Sequence, residues 1–354
     1  MDYRYIRITD INEDGTLNDD WKTVAEVEKQ YILKEGDVLF ARSGATAGKA
    51  FYYKNEYGKA LYAGYLIRFR FDESKVIPLF VYNLLCSKEY NDWVEKTKGG
   101  TARQNINSQQ YCSFEVPLPP MDIQKKIVEK CEKIDQKFKQ QQIELDSLNI
   151  RVESIFDEVA GRSQKLEKLC SAINPSKADV KSIEASTMVS FVEMSSVSND
   201  GYIEQKIDKP LADVRKGSYT YFAEGDIIIA KITPCMENGK CALATGLTNG
   251  IGFGSSEFHV LRVNGKLINN VYLFAYLNRK EIRERAAAVM TGASGHRRVP
   301  ITFYEELEIP VPSMDEQLRI VAEYQKNISA IMDLRESMSN ASSAKQAILD
   351  KYLK

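Results

Sequence analysis

The sequence is poor in the residues on which metal sites, disulfide frameworks and membrane spans depend. Its 354 residues include two histidines and six cysteines, with no Cys-x-x-Cys pair and no apolar run long enough to cross a bilayer. These absences argue against a zinc site, a disulfide scaffold and a transmembrane helix. The N-terminus also has no apolar core of a signal peptide, so we expect a cytoplasmic protein with reduced thiols.

Net charge is nearly absent as well. The 48 basic and 49 acidic side chains give a formal charge of −1 and an isoelectric point near 6.3. Such a balance argues against a protein that coats nucleic acid through bulk charge, although basic surfaces can still exist locally. With 44% hydrophobic and 27% charged residues, the composition is that of a globular protein with room for two domain cores.

Familiar catalytic motifs are lacking too, including GxSxG, HExxH and the Asp/Asn-Pro-Pro-Tyr/Phe motif of methyltransferases. Gly44-Ala-Thr-Ala-Gly-Lys49 is close to a phosphate-binding loop, but its glycines are one residue too close and Ala50 stands where a hydroxyl residue would bind magnesium. Asp200 with Glu204-Gln-Lys206 has the form of a nuclease site, at a tight spacing for two metal-binding carboxylates. A nuclease is therefore the weaker hypothesis, and we expect no catalysis, cofactor or metal in this chain.

Two long polar stretches carry apolar residues at alternating intervals of four and three. This spacing predicts coiled-coil helices in residues 121–161 and 314–354. About forty residues at 1.5 Å per residue give a rod of roughly 60 Å, which is longer than one domain needs, so each helix requires the other as a partner. The seam positions are Ile127, Cys131, Ile134, Phe138, Leu145, Leu148, Val152, Ile155 and Val159, and Ile320, Tyr324, Ile331, Leu334, Met338, Ala341, Ile348 and Tyr352.

The chain is an internal duplication. Pro117-Leu-Pro-Pro-Met-Asp-Ile-Gln124 before the first rod matches Pro310-Val-Pro-Ser-Met-Asp-Glu-Gln317 before the second, and Gly36–Arg42 matches Gly225–Lys231. We expect an α+β first repeat in residues 1–120 and a second in residues 162–313. Between the matched landmarks the copies differ strongly, which is typical of one scaffold with two recognition surfaces. The second repeat opens with some twenty residues, 166–186, for which the first repeat has no counterpart.

Two loops in each repeat are candidate polyanion-binding surfaces. The glycine turn that bears Lys49 in the first repeat and Lys240 in the second predicts either a tight hairpin or a loop that offers basic and hydroxyl side chains to phosphates and bases. The second loop, near Gly99 or Gly292, offers side chains that pair with base edges, and a solvated loop is the alternative. The candidates are Arg42, Ser43, Lys49, Arg103, Gln104 and Asn105 in the first repeat, and Lys231, Thr233, Lys240, His296, Arg297 and Arg298 in the second.

Two globular repeats, each followed by a long helix, resemble the specificity subunit of type I restriction-modification systems. The resemblance covers nearly the whole chain. It is carried by Gly36–Lys49, Gly225–Lys240 and Gly252–Arg262, together with the two matching starts of the helices. It implies two similar target recognition domains that each read one half of a split double-stranded DNA site, separated by two long antiparallel coiled-coil helices that act as a spacer.

The same resemblance implies a set of partners. Two methyltransferase (modification) subunits would bind S-adenosylmethionine and methylate adenine, restriction/translocase subunits would use ATP and magnesium, and this chain would hold no cofactor and contact no membrane. Two alternatives stay open: a separately encoded specificity portion of a fused restriction-methylation enzyme, and a coiled-coil scaffold that binds protein and no DNA. DNA binding with a steep salt dependence would exclude the scaffold.

Overall fold

The computed structural model describes residues 3–12, 15–44, 46–98, 105–293 and 295–353. They form two compact units of mixed α and β structure. The first unit contains residues 1–144 and 333–354, and the second contains residues 145–332. The division falls inside both long helical stretches, so each unit contains one repeat together with part of each stretch.

The first repeat contains a short parallel pair of strands and a three-stranded antiparallel sheet. Strand β1 pairs with β4, and β2 lies between β3 and β5. Leu39 and Phe51 face the core with essentially no exposure. The strands are β1 (Arg4–Ile6), β2 (Val38–Ala41), β3 (Ala50–Tyr52), β4 (Ala60–Tyr62) and β5 (Leu66–Phe69), and the helices are α1 (Pro78–Leu84), α2 (Lys88–Lys98), α3 (Ser108–Cys112) and α4 (Met121–Ser154).

Apolar residues at helical spacing, from Leu79 to Trp93, predict one helix over Pro78–Lys96, but the structure has two helices there. Pro78 begins α1, where its missing N–H costs nothing. The chain then turns, and the Ser87 hydroxyl accepts a hydrogen bond from the backbone N–H of Tyr90 at 3.2 Å. A serine that accepts from an N–H three residues later favours the start of a new helix, so α2 begins at Lys88.

The second repeat contains two four-stranded sheets and a separate strand pair. Their strand orders are β10-β13-β8-β9, β12-β11-β14-β7 and β15-β6. The strands are β6 (Arg162–Lys165), β7 (Cys170–Ile173), β8 (Met188–Val192), β9 (Ile207–Pro210), β10 (Thr220–Ala223), β11 (Ile227–Ala230), β12 (Cys241–Leu243), β13 (Ile251–Gly254), β14 (Phe258–Val263) and β15 (Glu308–Val311), and the helices are α5 (Leu166–Leu169), α6 (Leu211–Arg215), α7 (Asn270–Leu277), α8 (Lys280–Ala288) and α9 (Ile301–Glu306).

The duplication is visible in matching side-chain contacts. Arg70 pairs with buried Asp37 at 2.6 Å, and Arg262 pairs with buried Asp226 at 2.8 Å. Such a bidentate pair compensates a carboxylate that burial would otherwise penalise. The glutamine two positions after each Met-Asp pair accepts a backbone hydrogen bond from its own repeat in both copies. Gln124 accepts a hydrogen bond from Ile77 N–H at 2.9 Å, and Gln317 accepts one from Asn269 N–H at 2.8 Å.

The long helical stretches show the expected seam. In α4 the seam positions are buried or half-buried, whereas most residues between them are exposed. Within the first unit, α4 contacts the chain's last residues. The Gln141 amide donates to the Ser337 hydroxyl at 2.8 Å, and Lys345 pairs with Asp135 at 2.5 Å. The contact position in α4 moves back from residue 141 to 135 as its partner moves forward from residue 337 to 345. The two segments therefore run in opposite directions.

Neither stretch is one continuous helix over the range that the spacing predicts. Helix α4 ends at Ser154, where the chain turns and Phe156 packs against Tyr272 and Tyr276. The C-terminal stretch is broken at Asn340 into α10 (Met314–Ser339) and α11 (Ala341–Leu353). The side chains of Ser339 and Asn340 both donate to the Glu336 carbonyl at 2.8 and 3.1 Å. Such local bonds compete with the helical ladder and favour a break.

The cysteines of the described chain are free thiols. Cys131 lies fully buried on the α4 seam, and burial raises its thiol pKa to about 11. This is consistent with a small apolar packing residue. Among the described residues, no His, Cys, Asp and Glu side chains cluster in a way that could hold a metal ion. None of the described helices is both long enough and apolar enough to span a membrane.

Candidate nucleic-acid interface

In the first repeat, the fold brings the two candidate loops side by side. The backbone N–H of Ile106 donates to the Arg42 carbonyl at 2.9 Å, and Ser43 and Asn105 form an isolated β-bridge. We call residues 42–49 with residue 105 the first junction. Arg103 and Gln104, the other candidates of this loop, lie outside the described residues. More than sixty residues of chain separate the loops, so sequence spacing alone did not predict their contact.

The second repeat makes the same junction with different residues. Val299 N–H donates to the Lys231 carbonyl at 2.9 Å, and Thr233 N–H donates to the Arg297 carbonyl at 3.0 Å. Residues 291 and 298 pair as a short hairpin. Gly292 makes it possible, because its φ is +123° and a Cβ there would lie 2.9 Å from the His296 carbonyl oxygen. We call residues 231–240 with residues 291–298 the second junction.

Two of the three candidate lysines, Lys49 and Lys240, bind backbone oxygens of their own repeat. The Lys49 ammonium donates to the Ile11 carbonyl at 2.8 Å. Lys240 donates to the carbonyls of Met194 and Val197 at 2.9 and 2.7 Å. Residues 46–48 form a turn, and the backbone N–H groups of Ala47 and Lys49 donate to the carbonyls of Gly44 and Thr46, each at 3.0 Å. This geometry supports the hairpin alternative, and a phosphate contact by these lysines stays a prediction.

The two arginines of the second junction are held by glutamates. Arg297 pairs with Glu237 at 2.9 Å. Arg298 forms two parallel hydrogen bonds with Glu257, at 2.9 and 2.8 Å, and donates a third to the His296 carbonyl. The Arg298 guanidinium lowers the pKa of the Glu257 carboxyl. Arg298 therefore braces the hairpin with most of its donors, whereas Arg297 keeps donors for another partner.

The remaining candidates differ in how accessible their side chains are. Arg42 and His296 are exposed, and Ser43 and Lys231 are half-buried. Among the described residues, the Arg42 guanidinium makes no ion pair or hydrogen bond. The Thr233 hydroxyl is directed to the Met290 sulfur at 3.7 Å. An exposed, uncompensated arginine beside a loop that differs between the two repeats is the kind of group that binds a phosphate or a guanine edge.

Sequence reasoning missed Tyr65, which adjoins the first junction. Its side chain is 70% exposed, and its carbonyl accepts a hydrogen bond from Arg42 N–H at 3.1 Å. Glu257 holds the equivalent position in the second repeat, where its carbonyl accepts from Lys231 N–H at 2.9 Å. No motif or periodic pattern in the sequence sets Tyr65 apart from the other tyrosines.

The second junction is fixed to the sheet by a buried histidine. His259 on β14 is 6% exposed, and its Nε2 lies 2.9 Å from the Val299 carbonyl oxygen. Burial lowers the pKa of His259 below its usual 6.5. The neutral ring therefore donates this hydrogen bond and fixes the end of the loop.

Comparison with known families gives a match over most of the chain. Residues 1–145 and 163–341 match the family described as "Type I restriction modification DNA specificity domain". The specificity subunit of the type I restriction enzyme EcoAI from Escherichia coli is 40% identical over 183 residues, which cover 51% of this chain and 30% of that protein. The EcoEI specificity subunit from Escherichia coli is 37% identical over 167 residues, which cover 47% and 28%. The match thus spans less than a third of either relative.

Solved structures share the fold along the whole chain. A chain from a study of complex assembly and conformational transition of the type I R-M system aligns over 100% of this chain and 92% of its own length, with a TM-score of 0.59 and 17% identity. The type I restriction-modification system S subunit from M. genitalium aligns over 99% and 88%, with a TM-score of 0.54 and 12% identity. At these identities the likeness is one of fold.

Proposed function

The chain belongs to the type I restriction-modification DNA specificity family, and from this premise we propose that it recognises a split double-stranded DNA site, one half with each repeat. The observation that carries the proposal is the repeated junction. At the same place on one scaffold, each repeat joins a strand-end loop to a second loop. The two copies carry different side chains there, as two different half-sites require.

We assign the recognition of DNA to residues 1–120 and 162–313 as two target recognition domains. The helical stretches 121–161 and 314–354 serve as an antiparallel coiled-coil spacer that sets the distance between the half-sites. The buried seam of α4 and the opposite direction of its contacts with the last residues support this role. A stiff spacer joins two modest contacts into one bipartite affinity, because the second contact becomes intramolecular.

Within the junctions, we assign base or phosphate contact first to Arg42, His296 and Arg297. Arg42 is exposed, and Arg297 retains free donors beside Glu237. Arg298 positions the hairpin through Glu257. The other candidates are proposed as further contacts of the same loops: Ser43, Arg103, Gln104 and Asn105 in the first repeat, and Lys231 and Thr233 in the second. Lys49 and Lys240 support the loops through backbone carbonyls.

We further propose that this subunit performs no chemistry and holds DNA for its partners in the cytoplasm. Two methyltransferase subunits would supply S-adenosylmethionine and flip the target adenine into their own pocket. Restriction/translocase subunits would supply ATP-driven cleavage. Two other hypotheses make different predictions. A separately encoded portion of a fused enzyme would work through one catalytic partner, and a protein scaffold would bind no DNA.

The test is adenine methylation across the genome of cells that express the neighbouring methyltransferase subunit with or without this chain. We expect a methylated split motif only when the chain is present. A stable complex that leaves the genome unmethylated would contradict the proposal. Absence of salt-dependent DNA binding by the assembled complex would favour the scaffold instead.

A further inference from the structure

The turn between β4 and β5 ends at the first junction. Ala63 and Leu66 flank the turn and are buried, and Leu66 N–H donates to the Ala63 carbonyl at 2.9 Å. Ala63 N–H donates in turn to the Ile6 carbonyl of β1 at 2.9 Å. The two residues between them, Gly64 and Tyr65, are exposed. The core therefore fixes the backbone on both sides of Tyr65, while its side chain lies in solvent.

Tyr65 adjoins both loops of the junction through Arg42. Arg42 N–H donates to the Tyr65 carbonyl at 3.1 Å, and the Arg42 carbonyl accepts from Ile106 N–H at 2.9 Å. Arg42 is exposed, and so is Asn105, the residue before Ile106. This small area of the first junction thus exposes a phenol ring, a guanidinium group and an amide.

Glu257 takes the place of Tyr65 in the second repeat. Its carbonyl accepts from Lys231 N–H at 2.9 Å, as the Tyr65 carbonyl accepts from Arg42 N–H. Both oxygens of the Glu257 side chain bind the Arg298 guanidinium, at 2.8 and 2.9 Å. At this position the second repeat therefore has a side chain that fixes its own loop.

The first repeat cannot form this bridge. Asn105 takes the place of Arg298, because the residue after each, Ile106 or Val299, donates to the carbonyl at the strand end. A phenol and an amide form no ion pair at neutral pH. In the described part of the chain, the Tyr65 side chain has neither a hydrogen bond nor a ring contact. Single exposed aromatic residues are common, so its 70% exposure alone would mean little. Its place in the junction makes it available to a ligand.

The phenol ring narrows the kind of base contact that Tyr65 can make. The ring is apolar, and the apolar group on the major-groove edges of the base pairs is the C5-methyl of thymine. The hydroxyl both donates and accepts hydrogen bonds, so it distinguishes base edges poorly. A hydroxyl bound to phosphate would carry no sequence information directly. The ring is therefore the part of Tyr65 that can select a base.

We propose that Tyr65 is a specificity-determining residue of the first repeat, whose ring packs on the C5-methyl of a thymine in one half of the recognised site. The inference rests on the proposed function, which assigned base or phosphate contact in this junction first to Arg42. It adds an apolar contact beside that cation. Because the Tyr65 backbone is fixed before DNA binds, little backbone freedom is lost when the ring makes its contact.

The test uses duplexes that carry the split motif and the chain assembled with its methyltransferase subunits. Each thymine of the motif is replaced in turn by uracil, which lacks only the methyl group. With the native chain, one replacement in the half that Arg42→Ala relaxes should weaken binding about fourfold, the effect of one buried CH₂-sized group. A chain with Tyr65→Ala should bind the thymine duplex more weakly and show no further loss with uracil.

Two control variants separate the ring from the hydroxyl and from tyrosine loss in general. Tyr65→Phe keeps the ring and should retain the uracil effect. Tyr202→Ala removes a tyrosine of the second repeat that is 43% exposed, and it should retain the effect as well. Since Tyr65 is exposed, its variants should unfold at the temperature of the native chain.

Three results would overturn the inference: no uracil effect with the native chain, the same effect with Tyr65→Ala, or a Tyr65→Phe chain that binds every duplex equally more weakly, as loss of a phosphate contact would cause. These results leave the proposed function intact if methylation still requires the chain and Arg42→Ala still relaxes one half of the motif. Methylation that does not depend on the chain would instead overturn the function and the inference together.

Discussion

Basic residues of the two junctions have different tasks, although the sequence grouped them as one set. Lys49 and Lys240 bind carbonyls of their own repeat. Arg298 is engaged by Glu257, whereas Arg42 is exposed and unpaired among the described residues. Each position is a cation near a loop in the sequence. Only the group that each side chain contacts in the folded protein shows which cation supports the loop and which one is available to a ligand.

Replacement of Lys240 by methionine should destabilise the second unit by about 1–3 kcal/mol, because carbonyls that its ammonium satisfies would lose their donor. Denaturant unfolding measures the effect. The matched control is Lys231→Met, which should change stability by less than ~0.5 kcal/mol but weaken DNA binding. If Lys240→Met reduced DNA affinity and the salt slope without loss of stability, Lys240 would be a phosphate contact instead.

His259 gives the stability of the second unit a pH dependence. Burial lowers its pKa in the folded state below 6.5, so the unfolded chain binds a proton first as the pH falls. The stabilisation is present above pH 6.5 and is lost progressively below it, by at most ~1.4 kcal/mol per pH unit. Thermal unfolding of His259→Gln between pH 8 and 5 should show a shallower acid decline than the native chain. Parallel curves would contradict this assignment.

At the scale of elements, the helical stretches were the most predictable part of the chain. Their heptad spacing predicted the buried seam of α4, since burial in a coiled coil follows a regular period. The ends were not predictable. The turn after Ser154 depends on Phe156 packing against Tyr272, and the break at Asn340 depends on two side chains competing for one carbonyl. Such contacts leave no periodic pattern in the sequence.

The spacer role predicts how the recognised site changes with helix length. One heptad inserted at Gln141 in α4 and another at Ser337 in α10 adds ~10 Å to the helix pair, which corresponds to about three base pairs of DNA. The methylated motif should keep both half-sites and gain about that number of unspecified positions. An insertion in α4 alone should unpair the seam and abolish methylation. An unchanged gap in the double insertion would contradict the ruler role.

At the scale of the whole molecule, the duplication could be predicted from the sequence, because matched landmarks repeat in one order. The structure adds matching ion pairs and glutamine contacts. The α+β class of each repeat followed from alternating short strands and helices. The junctions could not be predicted, since residues 42 and 106 meet only through tertiary folding. The recognised bases cannot be predicted from the sequence either, because divergent loops read DNA through geometry rather than through a residue code.

The central claim is that each junction reads its own half of one split site. The most direct test maps the methylated motif in cells that carry Arg42→Ala or Arg297→Ala beside the native methyltransferase subunit. Each lost base contact is worth ~1–3 kcal/mol, so Arg42→Ala should relax one half of the motif and Arg297→Ala the other, with the gap unchanged. Relaxation of both halves by either variant, or an unaltered motif in both, would contradict the claim.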